Sequence, residues 1–272
     1  MREPIFFKTE NDMNIDISPL AGERLDNVNE SIKLLQRTDG LTFGTDAYLL
    51  AAYMYANAGG LAVELGGGTG IISLLCASRK RFEKITIAEI QNDYAELIKR
   101  NIALNGMEDK LDAVCKDIRE LKISDIGKEA DVVFSNPPYM KAESGKRNEC
   151  ESKYIARHEI FGGIDDFCAA AYRLLKFGRK FYVVYRPDRL IDLIDALRRN
   201  RLEPKKMTFV HADKNAEPST VLVEAKKGAS PSLILTKPLI LHPESKGEKN
   251  RPLTAEAEQI YSTCSFADFF KK

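Results

Sequence analysis

Short apolar runs alternate with helical patterns along most of the chain from Leu61 onward. Such alternation produces a mostly parallel sheet with helices on both faces, an α/β fold. Because no helix is predicted between the last two strands, they should pair antiparallel as a hairpin. The seven predicted strands are 61–65, 84–90, 111–115, 131–135, 180–185, 206–211 and 219–225. The predicted helices are 71–77, 91–105, 164–176 and 188–200, with Gly178 ending the third.

Composition places the chain among ordinary globular proteins. Of its 272 residues, 44% are hydrophobic and 30% are charged, which suits one large domain with a sizeable core. We expect no membrane span and no secretory signal, because the chain has no long apolar run. The five cysteines form no Cys-x-x-Cys pair and the three histidines are dispersed. These features predict a cytoplasmic protein with reduced thiols and no metal site.

Charge is distributed unevenly along the chain. Residues 1–60 carry five Lys or Arg against nine Asp or Glu, whereas residues 172–251 carry eighteen against nine. A basic half is what a polyanion-binding face requires. Exposed helices also carry charges of both signs merely because they are solvated, so the asymmetry alone leaves both interpretations open.

A glycine-rich loop follows the first predicted strand. Residues 64–70 read Glu-Leu-Gly-Gly-Gly-Thr-Gly and stand between a strand and a helix. Glycines at such a place let the backbone turn tightly and approach a ligand closely. Nicotinamide and flavin enzymes use similar loops, so the loop alone does not identify the ligand.

Three carboxylates near the loop and the strand ends narrow the choice of ligand. Glu64, just before the loop, suits a cationic amino-acid group and would repel a pyrophosphate. Glu89, at the end of the second strand, is placed to accept hydrogen bonds from both ribose hydroxyls. Asp117, after the third strand, can accept one from an adenine amino group. Singly, each fits a helix cap or a solvated carboxylate, but together they favour S-adenosylmethionine over NAD.

The most informative tetrapeptide is Asn136-Pro137-Pro138-Tyr139, at the end of the fourth predicted strand. Prolines there could simply end the strand, but ligands bind at the carboxyl ends of parallel strands. An exocyclic amine is a poor nucleophile because its lone pair is delocalised. The Asn136 side-chain oxygen and the Pro137 carbonyl can each accept one of its hydrogens, which localises the lone pair and aims it at a methyl donor. Tyr139 offers a flat face for a flipped-out base, with about 1–3 kcal/mol of stacking.

These motifs resemble class I S-adenosylmethionine-dependent amino methyltransferases with an Asn-Pro-Pro-Tyr motif. Other segments resemble one branch, the tRNA adenosine N6-methyltransferases that modify valine tRNA beside the anticodon, at position 37. The branch-specific segments are 23–26, 39–47, 156–159, 237–241, 253–256 and 260–261. The resemblance implies a Rossmann-like class I methyltransferase sheet with a terminal antiparallel hairpin, and N6-methylation of a tRNA adenosine.

The resemblance also implies which residues bind the cofactor. Thr45 and Asp46 should both contact the cofactor, with Thr45 or Asp46 near its methionine end, and Asn136 should face it across the crevice. The other expected cofactor contacts are Glu64, Gly66, Gly68, Gly70, Glu89, Ile90, Asp117 and Ile118. From the residues alone, Thr45 is the cap of a helix over 46–57, and the two roles are compatible. The loop departs from the commoner family pattern by its middle glycine, Gly67, which we expect to be harmless.

We expect a single domain with three parts. Residues 1–58 would cover the cofactor site, 59–227 would form the methyltransferase core, and 228–272 would form an appendage packed on it. Within these parts, 227–251 should lie at the surface, and the polar, nearly charge-balanced segment 141–156 should be a mobile loop. tRNA would bind through the basic carboxyl-terminal half of a monomer or weak dimer that has no membrane contact.

Three alternatives stay open on these residues. A protein-glutamine N5-methyltransferase of release factors uses the same tetrapeptide, although such enzymes usually carry a separate helical domain before the cofactor core. An rRNA guanine N2-methyltransferase is also compatible with the tetrapeptide. A catalytically silent RNA-binding protein is disfavoured by intact Glu89, Asp117 and Asn136.

Overall fold

The computed structural model describes residues 6–7, 15–40, 43–138, 162–243 and 251–271. Its strands are β1 (Phe6–Phe7), β2 (Ile15–Asp16), β3 (Glu23–Asn27), β4 (Lys33–Arg37), β5 (Asn57–Leu65), β6 (Phe82–Glu89), β7 (Leu111–Cys115), β8 (Ala130–Ser135), β9 (Leu175–Tyr185), β10 (Leu202–Asp213), β11 (Pro218–Lys227), β12 (Ile234–Leu235) and β13 (Leu239–His242). Its helices are α1 (Thr45–Tyr53), α2 (Ile71–Ser78), α3 (Asn92–Leu104), α4 (Ile123–Ile126), α5 (Ile164–Leu174), α6 (Leu190–Arg199) and α7 (Ala255–Thr263). None of the helices in these ranges is long and apolar enough to cross a membrane.

The main sheet has five parallel strands at its centre, in the order β7-β6-β5-β8-β9. Beyond β9 the sheet continues with β11, which pairs antiparallel with β9, and then with β10, which pairs antiparallel with β11. The predicted α/β fold and its terminal hairpin are therefore confirmed. Successive strands run outward in opposite directions from β5 and β8, which makes the crevice between their carboxyl ends the expected ligand site.

The central strands read as nearly continuous apolar runs because both sheet faces are covered. All six residues of β8 are buried. Val63 and Val133 enter the core beneath α5 and α6. Ala62 and Phe134, one residue away, enter the opposite core beneath α1, α2 and α3. The alternation of strand side chains thus holds a helical layer on each face and leaves the carboxyl edge open for a site.

Two predicted helix boundaries are wrong. α5 ends at Leu174, and Gly178, the predicted helix stop, lies inside β9 with a φ of +75°. The register between β8 and β9 shifts over the same stretch, which explains a glycine in the strand. α1 begins at Thr45 and ends at Tyr53, with Gly44 at the N-cap, so Thr45 is the first helical residue and not the cap.

The prediction of seven strands needs correction, because the segment 227–251 also contributes strands. β12 and β13, both from this segment, pair in parallel with β10 and bring the described main sheet to nine strands. Leu239 of β13 is fully buried. Without these pairings β10 would expose a long row of backbone N–H and C=O groups at the sheet edge.

A buried arginine joins the carboxyl-terminal segment to α1. The Arg81 guanidinium donates to the Cys264 carbonyl (2.6 Å), just after α7, and to the Met54 carbonyl, just after α1. Helix carboxyl ends carry partial negative charge, so two helix ends together stabilise one buried cation. The Phe266 N–H then donates to the Ala52 carbonyl (3.2 Å), and the Phe266 ring meets Tyr53 edge-on.

Two asparagines of α3 bind the β3–β4 hairpin. Asn101 accepts from the Leu35 N–H (2.7 Å) and donates to the Leu35 carbonyl (3.1 Å) and the Thr69 carbonyl (3.0 Å). One turn later, Asn105 accepts from the Lys33 N–H (3.0 Å) and donates to the Lys33 carbonyl (2.8 Å). Four helical residues and two strand residues span similar lengths, so the spacings match. Asn101 alone also reaches the glycine loop.

We predict that Asn101→Ala lowers the free energy of unfolding by about 2–4 kcal/mol, because it leaves three buried backbone groups without partners. Asn105→Ala is the matched control, since it breaks the same kind of pairing at a partly exposed position and should cost about 1 kcal/mol or less. Urea unfolding followed by circular dichroism measures both. Equal losses in the two variants would contradict the role given to Asn101.

Candidate active site

The glycine loop is held against β6 by its own backbone. The Gly66 and Gly67 N–H groups both donate to the Ala88 carbonyl, at 2.9 and 3.1 Å. Gly66, Gly68 and Gly70 have φ values of +72°, +56° and +79°, a region that other residues enter at a cost. Gly67, which we expected to be harmless, is required by packing, because a Cβ there would overlap Cγ2 of Ile87. Packing and backbone conformation together require four glycines.

Glu89 lies at the open side of this loop. Its carboxylate accepts from the Gly68 N–H (2.9 Å) and the Gln91 N–H (3.0 Å). A Cβ built on Gly68 would meet nothing within 4 Å, so the backbone there is open to a ligand. Burial raises the pKa of Glu89. A buried acceptor beside an open glycine face suits a ribose, whose hydroxyls would donate to the carboxylate.

Glu64 lies in a different environment from the one its sequence position suggests. Its carboxylate accepts from the Ser73 N–H (3.2 Å) and hydroxyl, in the first turn of α2, and is 1% exposed. Burial raises the pKa of Glu64 to about 8, and the bonds from Ser73 oppose that rise. The carboxylate therefore fixes α2 against β5, in addition to any attraction that it exerts on a cationic ligand.

Asp117, the predicted adenine partner, follows β7, and the predicted cofactor contacts Ile90 and Ile118 lie nearby in the chain. Asp117 accepts hydrogen bonds from the Arg119 side chain and backbone N–H, and the side-chain bonds hold the pKa of Asp117 below its usual range. Its side chain is 16% exposed, so its oxygens are accessible to a further donor. Ile90 is partly exposed and Ile118 is buried, and both directly adjoin the carboxylates Glu89 and Asp117 in the chain.

Asn136 shares a cavity with residues from three other elements. The cavity has a volume of about 90 Å³ and is lined by Asp46, Asn136, Val184, Tyr185, Arg186, Ser219 and Thr220. The register explains this convergence, because Ser135 is paired with Leu65 of β5 on one side and Val183 of β9 on the other. Asn136 therefore stands between the glycine loop and the carboxyl end of β9.

Asp46 reaches this cavity from the first turn of α1. Its carboxylate accepts from the Thr220 hydroxyl (3.0 Å), and burial raises the pKa of Asp46 while that bond opposes the rise. Thr45, its neighbour, points instead to α7, where its side chain hydrogen-bonds to Tyr261. Tyr261 packs against Tyr48 with ring centroids 5.1 Å apart. Of the two residues predicted for the methionine end, Asp46 therefore lines the cavity and Thr45 faces α7.

Three sequence predictions fall on residues outside the described part of the chain. They concern Tyr139, the loop 141–156 and the branch-specific segment 156–159. Pro137 is described and buried, directly after Asn136.

Comparison with known proteins identifies the family. The family model described as the methyltransferase small domain matches residues 38–159. A curated tRNA1(Val) (adenine(37)-N6)-methyltransferase from Phocaeicola vulgatus is 31% identical over 187 residues, which cover 67% of this chain and 76% of that protein. The chain belongs to the tRNA1(Val) (adenine(37)-N6)-methyltransferase family.

Further similarities extend over more of this methyltransferase. A relative of the same description from Porphyromonas gingivalis is 28% identical over 228 residues, covering 81% of this chain and 88% of the relative. A solved structure of a predicted O-methyltransferase from Agrobacterium tumefaciens has a TM-score of 0.64 at 21% identity and covers 81% of this chain and 97% of the other. That structural likeness shows a shared fold, which is the class I methyltransferase fold.

S-adenosylmethionine is the methyl donor of this family, and the described residues fit it. The open face of Gly68, the buried carboxylate of Glu89 and the accessible carboxylate of Asp117 follow consecutive strands along one sheet edge. This order along the edge matches the order of ribose and adenine in the cofactor. The hydroxyls and amino group of an adenosine moiety can donate hydrogen bonds to Glu89 and Asp117. A pyrophosphate would be repelled by the same carboxylates.

Sequence reasoning missed Arg186, Ser219 and Thr220 as members of the site. Arg186 directly follows β9, so the rule that selected Asn136 after β8 would also have found it. Ser219 and Thr220 begin an antiparallel strand, and only the pairing of Val221 with Tyr185 brings them to this edge. No local pattern in the sequence contains that information.

We predict that Glu64→Gln reduces the pH dependence of stability. Because burial raises the pKa of Glu64 to about 8, the folded state keeps a proton that the unfolded chain loses above its ordinary pKa near 4.5. The stabilisation is complete below pH 4.5 and is lost as pH rises to 8. Urea unfolding measures the free energy of unfolding at pH 5 and at pH 8. Its fall between the two pH values should be larger in the wild type than in Glu64→Gln by on the order of 2–4 kcal/mol.

The control is Glu83→Gln, at an exposed position of β6, which should keep the wild-type pH dependence. Burial raises the pKa of Glu89 as well, so part of the fall should persist in Glu64→Gln. Identical pH profiles for wild type and Glu64→Gln would show that Glu64 is not a buried acid in the folded protein.

Proposed function

We propose that the protein transfers a methyl group from S-adenosylmethionine to N6 of adenine 37 in valine tRNA. The 31% identity to a relative that carries this activity in its name supports the substrate. The placement of Asn136 between the glycine loop and a cavity on the β9 side carries the chemistry. The names of the relatives favour this activity over methylation of release-factor glutamine or of guanine in rRNA.

The residues around Asn136 account for the reaction. The side-chain oxygen of Asn136 and the carbonyl of Pro137 would each accept one hydrogen of the adenine amino group, and proline adds no competing donor. S-adenosylmethionine supplies a methyl group activated by a sulfonium. As the N–C bond forms and the C–S bond breaks, the two acceptors stabilise positive charge on nitrogen. The methylated nitrogen then loses its proton to solvent. Tyr139 would stack on the base.

The remaining cofactor contacts belong to the same proposal. Glu89 would accept from the ribose hydroxyls, Asp117 from the adenine amino group, and Ile90 and Ile118 would contact the adenine ring. Asp46 would lie near the methionine end, a role that its position in the first turn of α1 and its place in the cavity support. The segment 1–58 would cover the site, with Thr45 acting through its bond to Tyr261.

tRNA is the proposed macromolecular partner, bound through the basic carboxyl-terminal half, where residues 172–251 carry eighteen basic and nine acidic residues. The protein would bind tRNA as a monomer or a weak dimer in the cytoplasm. Segments 59–227 and 228–272 would act as one domain. Arg81 and the β13–β10 pairing support that unity, because both connect the last segment to the core.

We predict that purified protein transfers labelled methyl from S-adenosylmethionine to unmodified valine tRNA, and that nucleoside digestion yields N6-methyladenosine. Changing adenine 37 to guanine in the transcript should abolish the product, because a guanine presents an oxygen instead of an amino group to Asn136. A purified release factor serves as the competing substrate. Methyl transfer to the release factor with none to tRNA would reject the proposal.

We predict opposite effects for two substitutions at the site. Asn136→Ala should lower kcat at least 100-fold while the S-adenosylmethionine affinity changes by less than about threefold, because the side chain acts on the target amine. Asp117→Ala should instead weaken S-adenosylmethionine binding by roughly 10-fold, since it removes an adenine partner. Isothermal titration calorimetry and single-turnover methyl transfer separate the two effects. Loss of cofactor binding in Asn136→Ala would show that its assigned role is wrong.

A further inference from the structure

Arg186 lines the cavity on the side away from the glycine loop, where the substrate that receives the methyl group would bind. It directly follows β9 and lines the same cavity as Asn136. Because β8 lies between β5 and β9, the glycine loop and Arg186 are on opposite sides of Asn136. A cation in this position faces whatever substrate presents its amino group to Asn136, and it lies away from the cofactor loop.

The guanidinium of Arg186 is held in a fixed plane by its neighbour. Arg186 Nε and Nη2 donate to the two carboxylate oxygens of Asp188, at 2.9 and 3.0 Å. This two-bond ion pair, the Arg186–Asp188 fork, holds the pKa of Asp188 below its usual range. Pro187 lies between the two residues and starts the 3-10 turn Pro187–Arg189, which limits the backbone freedom of the fork. An exposed arginine, 48% accessible, is thereby oriented before any ligand arrives.

We propose that Arg186 binds a backbone phosphate of the RNA next to the nucleotide being methylated, with Asp188 as its positioning residue. This inference rests on the proposed function. A nucleotide whose base reaches Asn136 keeps its phosphates outside the cavity, attached to the ribose. A planar guanidinium matches a phosphate through paired hydrogen bonds better than an ammonium does.

Arg186 has charged neighbours of both signs. The carboxylates are Asp188, bonded to Arg186 itself, and Asp46, which accepts from Thr220 at the cavity. The β10–β11 turn extends past the same edge and carries Lys214 and Glu217, which are both exposed. Arg251 lies beside this turn, 3.6 Å from Asp213. An RNA strand leaving the cavity in this direction would meet further cations.

β9 itself offers a matched control. Arg179, within β9, is 50% exposed and pairs with Asp131 at 3.3 Å. It resembles Arg186 in exposure and in having a carboxylate partner, but it lies toward the amino end of β8, away from Asn136. Arg179→Ala removes the same charge from the protein without touching the cavity.

The test measures binding of a fluorescein-labelled, unmodified valine tRNA transcript by anisotropy across a series of NaCl concentrations. Arg186→Ala should weaken binding roughly tenfold and reduce the slope of log K against log [NaCl] by about one unit, as loss of one phosphate contact requires. Arg186→Lys should retain the slope because it retains the charge. Asp188→Asn should keep the slope and weaken binding by a smaller factor, because the guanidinium keeps its charge and loses its fixed plane.

Equal slopes and affinities for Arg186→Ala and Arg179→Ala would overturn the proposal. So would a loss of S-adenosylmethionine affinity in Arg186→Ala, measured calorimetrically, because it would place Arg186 on the cofactor. Failure of the proposed function is a separate result: wild-type protein would then bind tRNA without forming N6-methyladenosine. Formation of N6-methyladenosine by the wild type, with unchanged tRNA binding by Arg186→Ala, would reject only the phosphate contact.

Discussion

The parallel register of β5, β8 and β9 is the constraint on which the site depends. Leu65, Ser135 and Val183 lie side by side, and the Ser135 hydroxyl donates to the Leu65 carbonyl at 2.7 Å. Everything that follows these residues must leave the sheet at one edge: the glycine loop after β5, Asn136 after β8 and Arg186 after β9. A change of register by one residue would turn Asn136 away from both neighbours.

The surrounding segments stabilise that edge through buried polar bonds. Asn101 ties the β3–β4 hairpin and the Thr69 carbonyl to α3, so the loop cannot move independently of the hairpin. Arg81 joins the ends of α1 and α7. Because a buried polar group without a partner is costly, these bonds favour one arrangement of the segments over alternatives of similar apolar burial.

The sequence predicted the parts of the site that follow from local pattern. The strands of the parallel core end where apolar runs end, and Glu89, Asp117 and Asn136, at or just after those ends, lie along one edge. It could not predict the partners of Glu64, because Ser73 lies nine residues away on a helix face. The pairing of β13 with β10 and the approach of Thr220 to Asp46 involve residues distant in the chain, whose register no local pattern specifies.

The acidic residues of the site differ in the groups that hold them. Glu64 is fully buried and accepts from Ser73, and burial raises its pKa. Asp46 accepts from the Thr220 hydroxyl at the cavity, and burial raises its pKa as well. Asp117 is bonded to Arg119, which lowers its pKa, so Asp117 remains an anion after β7. Asn136 differs from all three because it is a neutral acceptor. It can bind a neutral amine without gaining or losing a proton, and its oxygen can then stabilise the positive charge that develops on nitrogen.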